Sequence, residues 1–437
     1  MTVATKTTFD VAERGESAAS QNIGDDALLD LVQRRTLRYF WDFAHPTCGL
    51  ARERSNVTPN YGLETVTTGG SGFGVMAIIV GVARGWIGRA EAVDRLWTMA
   101  RFLLKADSYH GIFPHFLNGD TGKTIPFSRK DDGSDLVETS FLLMGLLCAR
   151  QFFDRPDEAE ARLRAAIDRL WEEAEWSWHV QGDRNVLFWH WSPNNGWSMN
   201  HEIRGWNECL ITYVLAASAP RYPIPAEVYH DGWANGRDFR NGRDYHGVTL
   251  PLGPDYGGPL FLAQYSFLGI DPRGLKDRHA DYWRQNVAHA QINREHCARN
   301  PLGFAGYGPD CWGLTASDSP TGYVAHAPDN DLGVITPTAA LGSFPYTPEH
   351  SMRALRHFYH NLGDRIWREF GFVDAFSETR GWYADSYLAI DQGPIIVMIE
   401  NARTGLLWKL LMSCPELQSG LRRLGFESPH LVGNLAS

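Results

Sequence analysis

Apolar residues recur every three or four positions along most of this 437-residue chain, and that spacing builds helices with one buried stripe. The pattern opens at Asp25 or Asp26, either able to cap a helix whose stripe is Leu28, Leu29, Leu31, Val32, Leu37, Phe40 and Trp41. Runs of the same kind follow the glycines of 69–74 and cover 89–106, 135–153, 157–174 and 206–218. Others fall near 226–238, 259–268, 277–298, 335–342, 348–361, 393–412 and 416–424. That is about a dozen helices with no alternation of strand and helix. Between them lie long stretches rich in Gly, Pro, Asn, Asp and aromatics, at 42–70, 108–134, 176–204, 240–258, 300–334 and 371–392, with a short strand expected at 186–191. Loops of that length inside a compact domain are usually functional. Paired helices with such loops gathered at one end predict an all-α toroid over 25–437 as a single domain. Residues 1–24, small and polar, predict a disordered arm. No repeat of fixed period points to a solenoid.

Composition excludes several functions. The net charge is −10 and no basic patch stands out, so nucleic acid is not an expected partner. No run is long and apolar enough to span a bilayer, which argues against a membrane role. The chain starts without an apolar leader, so the expectation is a cytoplasmic protein, or a periplasmic one had a signal been removed. Cys48, Cys148, Cys209, Cys297, Cys311 and Cys414 form no CxxC pair and read as reduced thiols. No metal site is expected. Asp329-Asn330-Asp331 starts like a calcium loop but has Ala340 where the twelfth-position Glu would stand, and the histidines lack zinc spacing. Gly70-Ser71-Gly72-Phe73-Gly74 follows no strand and reads as close helix packing rather than a dinucleotide fingerprint.

The residues that suggest chemistry are acids set beside aromatics. Sixteen tryptophans occur, several next to carboxylates, and an indole joins a flat apolar face to one N–H donor. That suits a sugar. Asp131, Asp135 and Glu138 cluster at a helix start, where the helix dipole favours ionised acids; they read as a base and its neighbours or as ordinary caps. Glu208 opens an apolar helix beside Trp206, where an aromatic wall would raise its pKa; it reads as a proton donor or as a cap. Asp391 precedes Gly393-Pro394 at a helix mouth and could bind hydroxyls, act as a base, or cap. Trp312, Asp318 and Tyr323 have the chemistry of a sugar subsite, or form a structural loop.

Seven segments carry a family resemblance: Asp135–Leu142, Trp206–Glu208, Gly258–Phe261, Asp271–Asp277, Trp312–Asp318, Pro337–Ala340 and Asp391–Pro394. In this order they resemble the glucoamylase-like domain of bacterial endo-β-1,2-glucanases, glycoside hydrolase family 144, related to the transglycosylase domain of cyclic β-1,2-glucan synthases. The similarity runs over residues 26–426. It implies an (α/α)6 barrel, no metal or organic cofactor, and hydrolysis of β-1,2-glucan to sophoro-oligosaccharides with inversion. By motif, Glu208 matches the acid, while Asp131, Asp135 and Glu138 match carboxylates near the cleaved bond. Relatives can pass the proton through a substrate hydroxyl.

The expected protein is therefore an inverting β-1,2-glucan hydrolase, a monomer or homodimer. Glu208 would supply the proton, and Asp135, assisted by Asp131 or Glu138, would activate water; Asp131 and Asp391 are the next candidates for the base. Trp206, Trp312, Tyr323 and Trp382 are the expected stacking platforms, and Arg204, Asp318, Asp385, Asp391 and Gln392 the expected hydroxyl ligands. The rivals are a transglycosylase or sophorose-releasing exo-enzyme on the same glucan, and a non-catalytic glucan-binding protein. A polysaccharide lyase would need a basic cluster that the sequence lacks.

Overall fold

Stripe width separates the helices into two classes. In chain order they are α1 (Asp25–Trp41), α2 (Thr68–Ala83), α3 (Arg89–Leu103), α4 (Leu136–Phe152), α5 (Glu158–Glu173), α6 (Leu210–Ser218), α7 (Tyr282–Arg299), α8 (Pro337–Leu341), α9 (Pro348–His360), α10 (Gly363–Ile366), α11 (Ala389–Arg403), α12 (Leu406–Met412) and α13 (Pro415–Arg423). Helices α2, α4, α6, α8 and α11 are buried along nearly their whole length. Helices α1, α3, α5, α9 and α13 bury one stripe and expose the rest. A helix apolar on all sides belongs inside and an amphipathic one outside. The two classes alternate along the chain, and α2 packs on α4 and α11, α4 on α6, and α11 on α8. This is the inner and outer ring of an α/α barrel. The computed structural model describes residues 23–182, 184–236 and 238–431, so residues 1–22 of the expected arm lie outside the described residues.

The glycine run of α2 packs closely as expected, although, against the expectation, a strand at Thr65–Thr67 directly precedes it. A Cβ on Gly72 would lie 2.1 Å from the Phe141 carbonyl oxygen, and one on Gly145 the same distance from the Gly72 carbonyl. Only glycine at both positions lets α2 and α4 approach this closely.

Three expected helices are modified. The 259–268 segment is two 3₁₀ turns, 260–263 and 265–268, which fill the inner-ring place between α6 and α8. Between them Gln264 turns its side chain to Ala339 O and Ser343 Oγ. The 226–238 segment holds one wide turn, Val228–Trp233. The 393–412 helix begins earlier, at Ala389, and breaks at Gly405, whose φ is +68°. There the Asn401 side chain accepts the Leu407 and Trp408 N–H groups and starts α12.

Short strands tie loops to the mouth of the barrel. β1 (Thr65–Thr67) pairs with β2 (Phe116–Asn118), which pairs with β3 (Thr124–Ile125). β4 (Ser134–Asp135) pairs with β5 (His190–Trp191), setting Asp135 opposite His190. The six cysteines are free and buried. Among the described residues, no helix is long and apolar enough to cross a membrane.

Candidate active site

A cavity of about 420 Å³ opens at the loop end of the ring, with Glu53, Arg54, Tyr61, His115, Phe127, Glu138, Trp189, Glu208, Tyr265 and Tyr323 among its lining. Two of the carboxylates chosen from the sequence, Glu138 and Glu208, therefore share one hollow although they arise from different helix starts.

Asp135 is the N-cap of α4. Its Oδ1 accepts the backbone N–H groups of Val137 (3.1 Å) and Glu138 (2.9 Å) and the indole N–H of Trp189 (3.0 Å). Its Oδ2 faces His115 Nδ1 at 3.0 Å and His190 Nδ1 at 3.7 Å. Burial alone would push this carboxyl up, but the His115 hydrogen bond and the two imidazole charges hold it below the usual range. Asp131, also buried, lies 3.3 Å from His190 Nδ1. Neither Asp131 nor Asp135 borders the cavity. Its Oδ1 already takes three donors, and its Oδ2 is turned to His115 and His190. Asp135 is the first choice for the base from the sequence; the carboxylate of that turn which lines the cavity is Glu138.

Glu138 reaches across to the start of α2. Its Oε2 accepts the Gly69 N–H at 2.8 Å and faces Thr67 Oγ1 at 3.5 Å. A Cβ on Gly69 would come within 2.5 Å of that oxygen, so glycine permits the contact. Helix α2 has no side-chain cap of its own, and Glu138 satisfies one of its orphan donors. Burial raises the Glu138 pKa, His115 opposes that rise, and Asp135 adds to it.

Glu208 sits just ahead of α6. Ser266 Oγ donates to its carbonyl and accepts the Ile211 N–H, while Asn207 Oδ1 accepts the Cys209 N–H at 3.1 Å and the Trp233 indole at 2.7 Å. Burial pushes the Glu208 carboxyl up to about 7, and the charges of Glu138 and Asp135 push the same way. Among the described residues no cation opposes them, unlike at Glu138. His115 is held up at about 9: burial opposes its charge, but Glu138 and the Asp135 hydrogen bond more than compensate. Among the described residues, His115, Asp131 and Asp135 form one group with metal-ligand atoms within 4.8 Å of each other.

A second acid cluster lies behind another part of the wall. Arg54 bridges Glu53 (2.8 Å) and Asp318 (3.2 Å), and Ser386 Oγ donates to Asp318 at 2.5 Å. The Asp318 N–H donates to Asp374 at 2.7 Å. Asp391 is buried in the first turn of α11, and neither of its oxygens receives an N–H or hydroxyl donor. Its neighbour is the Asp374 carboxyl, and burial with the charges of the adjoining acids pushes both up. Burial and the charge of Asp318 push Asp374 up to about 7.

The expected platforms fare unequally. Tyr323 borders the cavity and is 51% exposed. Trp206 and Trp312 are not platforms: both are buried in the core, Trp206 stacked near Tyr282 and Phe267. Trp382 is half-buried in a hairpin with Ser377, away from the cavity lining. Arg204 holds Glu202 and the Asp231 carbonyl (3.1 Å). Asp385 is exposed and accepts from Asn56 at 3.2 Å. Gln392 is buried and donates to the Phe372 carbonyl at 3.2 Å. The sequence reading missed Glu53, Arg54, Tyr61, His115, Phe127 and Trp189. The aromatic residues Tyr61, Phe127 and Trp189 within long irregular stretches were the available signal.

A family model described as "Putative glucoamylase" matches residues 200–415. The chain is 55% identical to the endo-β-1,2-glucanase of Chitinophaga pinensis solved with sophorotriose and glucose, covering 94% of this chain and all of that one, with a TM-score of 0.92. It is 60% identical to a Bacteroides uniformis protein carrying the family's description, again with a TM-score of 0.92, covering 94% of this chain and 99% of that one. It is 46% identical to the exo-β-1,2-glucooligosaccharide sophorohydrolase (non-reducing end) of Parabacteroides distasonis, covering 93% of this chain. The chain spans 59% of the length of that curated relative.

Proposed function

The chain belongs to the glucoamylase-like family that includes the Chitinophaga pinensis endo-β-1,2-glucanase, and from that premise we propose that it hydrolyses β-1,2-glucan, as an endo-acting, inverting enzyme. The observation that carries the reading is the pair Glu138 and Glu208 on one sugar-sized cavity, differently compensated. The Glu138 anion has a backbone N–H and a nearby imidazolium; Glu208 has only its own backbone N–H and two acid neighbours. Like charges in one site do not both ionise easily, so the proton resides on Glu208.

Glu208 then delivers its proton to the glycosidic oxygen, directly or through a sugar hydroxyl. Glu138 accepts a proton from the water that attacks the anomeric carbon on the opposite face. The Gly69 N–H and the His115 side chain favour its anion, the form a base needs. Inversion requires the two carboxyls to leave room for that water, about 6.5–9.5 Å apart, or more with a relay. Tyr323 and Phe127, half-exposed rings bordering the cavity, supply stacking faces, and Arg54 and Glu53 supply hydroxyl partners. A mere binding module has no need of a buried acid held near neutrality.

The test is the early product mixture from linear β-1,2-glucan, followed by anomeric proton NMR. A ladder of sophoro-oligosaccharides with the α-anomer appearing first supports the proposal. Sophorose alone would make the enzyme exo-acting, rings would make it a transglycosylase, and no new reducing ends would remove the hydrolase reading.

A further inference from the structure

Nothing in the proton transfers above requires His115, yet the site is built around it. It follows Pro114 and leads into β2, and its ring faces charged groups from every neighbouring element. From α4 come Asp135, with 3.0 Å between Nδ1 and Oδ2, and Glu138, whose charge acts on it. From the 126–131 turn comes Asp131, and from β5 comes His190, a second cationic candidate beside Asp131 and Asp135. Glu53 faces it from across the cavity wall. The Phe127 ring stacks on it at 4.5 Å between centroids and 30° between planes, and Phe116 meets it edge-on at 4.4 Å. A cation over an aromatic face is favoured by the ring quadrupole.

We propose that His115 is a positioning residue: held as an imidazolium by Asp135 and Phe127, it keeps Glu138 ionised and so leaves Glu208 as the group that carries the proton. The inference rests on the hydrolase reading and adds to it the device that separates the roles of two neighbouring acids. Asp135 acquires a role through it. Its four donors make it a fixed anion that orients the imidazole, as a carboxylate orients a catalytic histidine elsewhere. The half-exposed Phe127 links the device to substrate: a sugar laid on that ring would shield His115 from water and strengthen its field on Glu138.

The substitution His115→Asn tests the charge apart from the hydrogen bond, since the Asn amide can still donate to Asp135 from the position of Nδ1. The pH profile of kcat/KM on β-1,2-glucan should then show the acidic limb moved up by about one unit, because Glu138 loses its nearby cation. The alkaline limb, set by Glu208, should stay. Activity lowered equally at every pH, with both limbs in place, would overturn the proposal while leaving the hydrolase reading intact. A second arm needs no activity and no His115 variant. Histidine NMR of the wild-type protein should show His115 titrating near 9, with a marked downward move in Glu138→Gln. Titration at the ordinary histidine value, or no response to Glu138→Gln, would overturn the proposal.

Discussion

Two acid clusters, each with one member on the cavity wall, balance their charge in different ways. Around Asp131, Asp135 and Glu138 stand two histidines, and Asp135 is held ionised despite complete burial. Around Glu53, Asp318, Asp374 and Asp391 stands one arginine among the described residues, Arg54, which pairs with Glu53 and Asp318. Asp374 and Asp391 are pushed up, because a buried charge without a partner costs more than keeping the acid neutral. A cation within reach opposes the rise that burial gives a carboxylate here, and at Asp135 it outweighs it. On the proposed reading, that contrast favours Glu208, the cavity-facing acid without a cation, as the carrier of the working proton.

The contrast can be tested variant by variant. Glu208→Gln removes the proton donor and should lower hydrolysis of β-1,2-glucan by roughly 10²–10⁴-fold, with the fold intact by circular dichroism. Asp135→Asn keeps an acceptor for the α4 cap but breaks the pair with His115. We expect a loss of about 3 kcal/mol in chemical denaturation and roughly 100-fold in kcat, since small misplacements at a reacting centre cost about that much. Tyr323→Ala removes a ring that lies over the second cluster and borders the cavity; KM should rise about tenfold with kcat little changed, the worth of one stacking contact.

Asp374→Asn probes the second cluster through stability. A carboxyl whose folded pKa is raised from the ordinary aspartate value of 3.8 to about 7 binds more protons folded than unfolded, so stability falls as pH rises through that window. The variant should flatten the fall of Tm between those limits. The raised His115 works over a higher window: its contribution is complete below 6.5 and lost as pH rises through about 9. That later fall should survive in Asp374→Asn. Arg204→Ala, outside the cavity lining, should leave kcat/KM unchanged and stability within about 0.5 kcal/mol.

Much of this arrangement could be read from local spacing. The cap at Asp135 and the acid three positions on, Glu138, are written in consecutive residues, as is Glu208 ahead of an apolar run. The toroid was readable from about a dozen helical patterns separated by long loops, and from the family resemblance. The tryptophans misled. The same indole fills a core or lines a cleft, and Trp206 and Trp312 chose the core; adjacency to an acid or a glycine does not say which side of the wall a ring will take. His115, Glu53 and Trp189 escaped notice because long-range pairings bring them in. Thr67 meets Phe116 across β1 and β2, and Asp135 meets His190 across β4 and β5. A lone histidine in an irregular stretch carries no local sign of the carboxylates it will face.

Hydrolysis by this route requires Glu138 and Glu208 to flank one scissile bond. A crystal structure of the Glu208→Gln variant with a β-1,2-linked glucopentaose tests this most directly. The expected result places the amide introduced by that substitution within hydrogen-bond reach of a glycosidic oxygen, or of a hydroxyl beside it. A water should then lie between Glu138 and the anomeric carbon on the other face. An oligosaccharide bound with its linkages remote from both side chains would contradict the assignment.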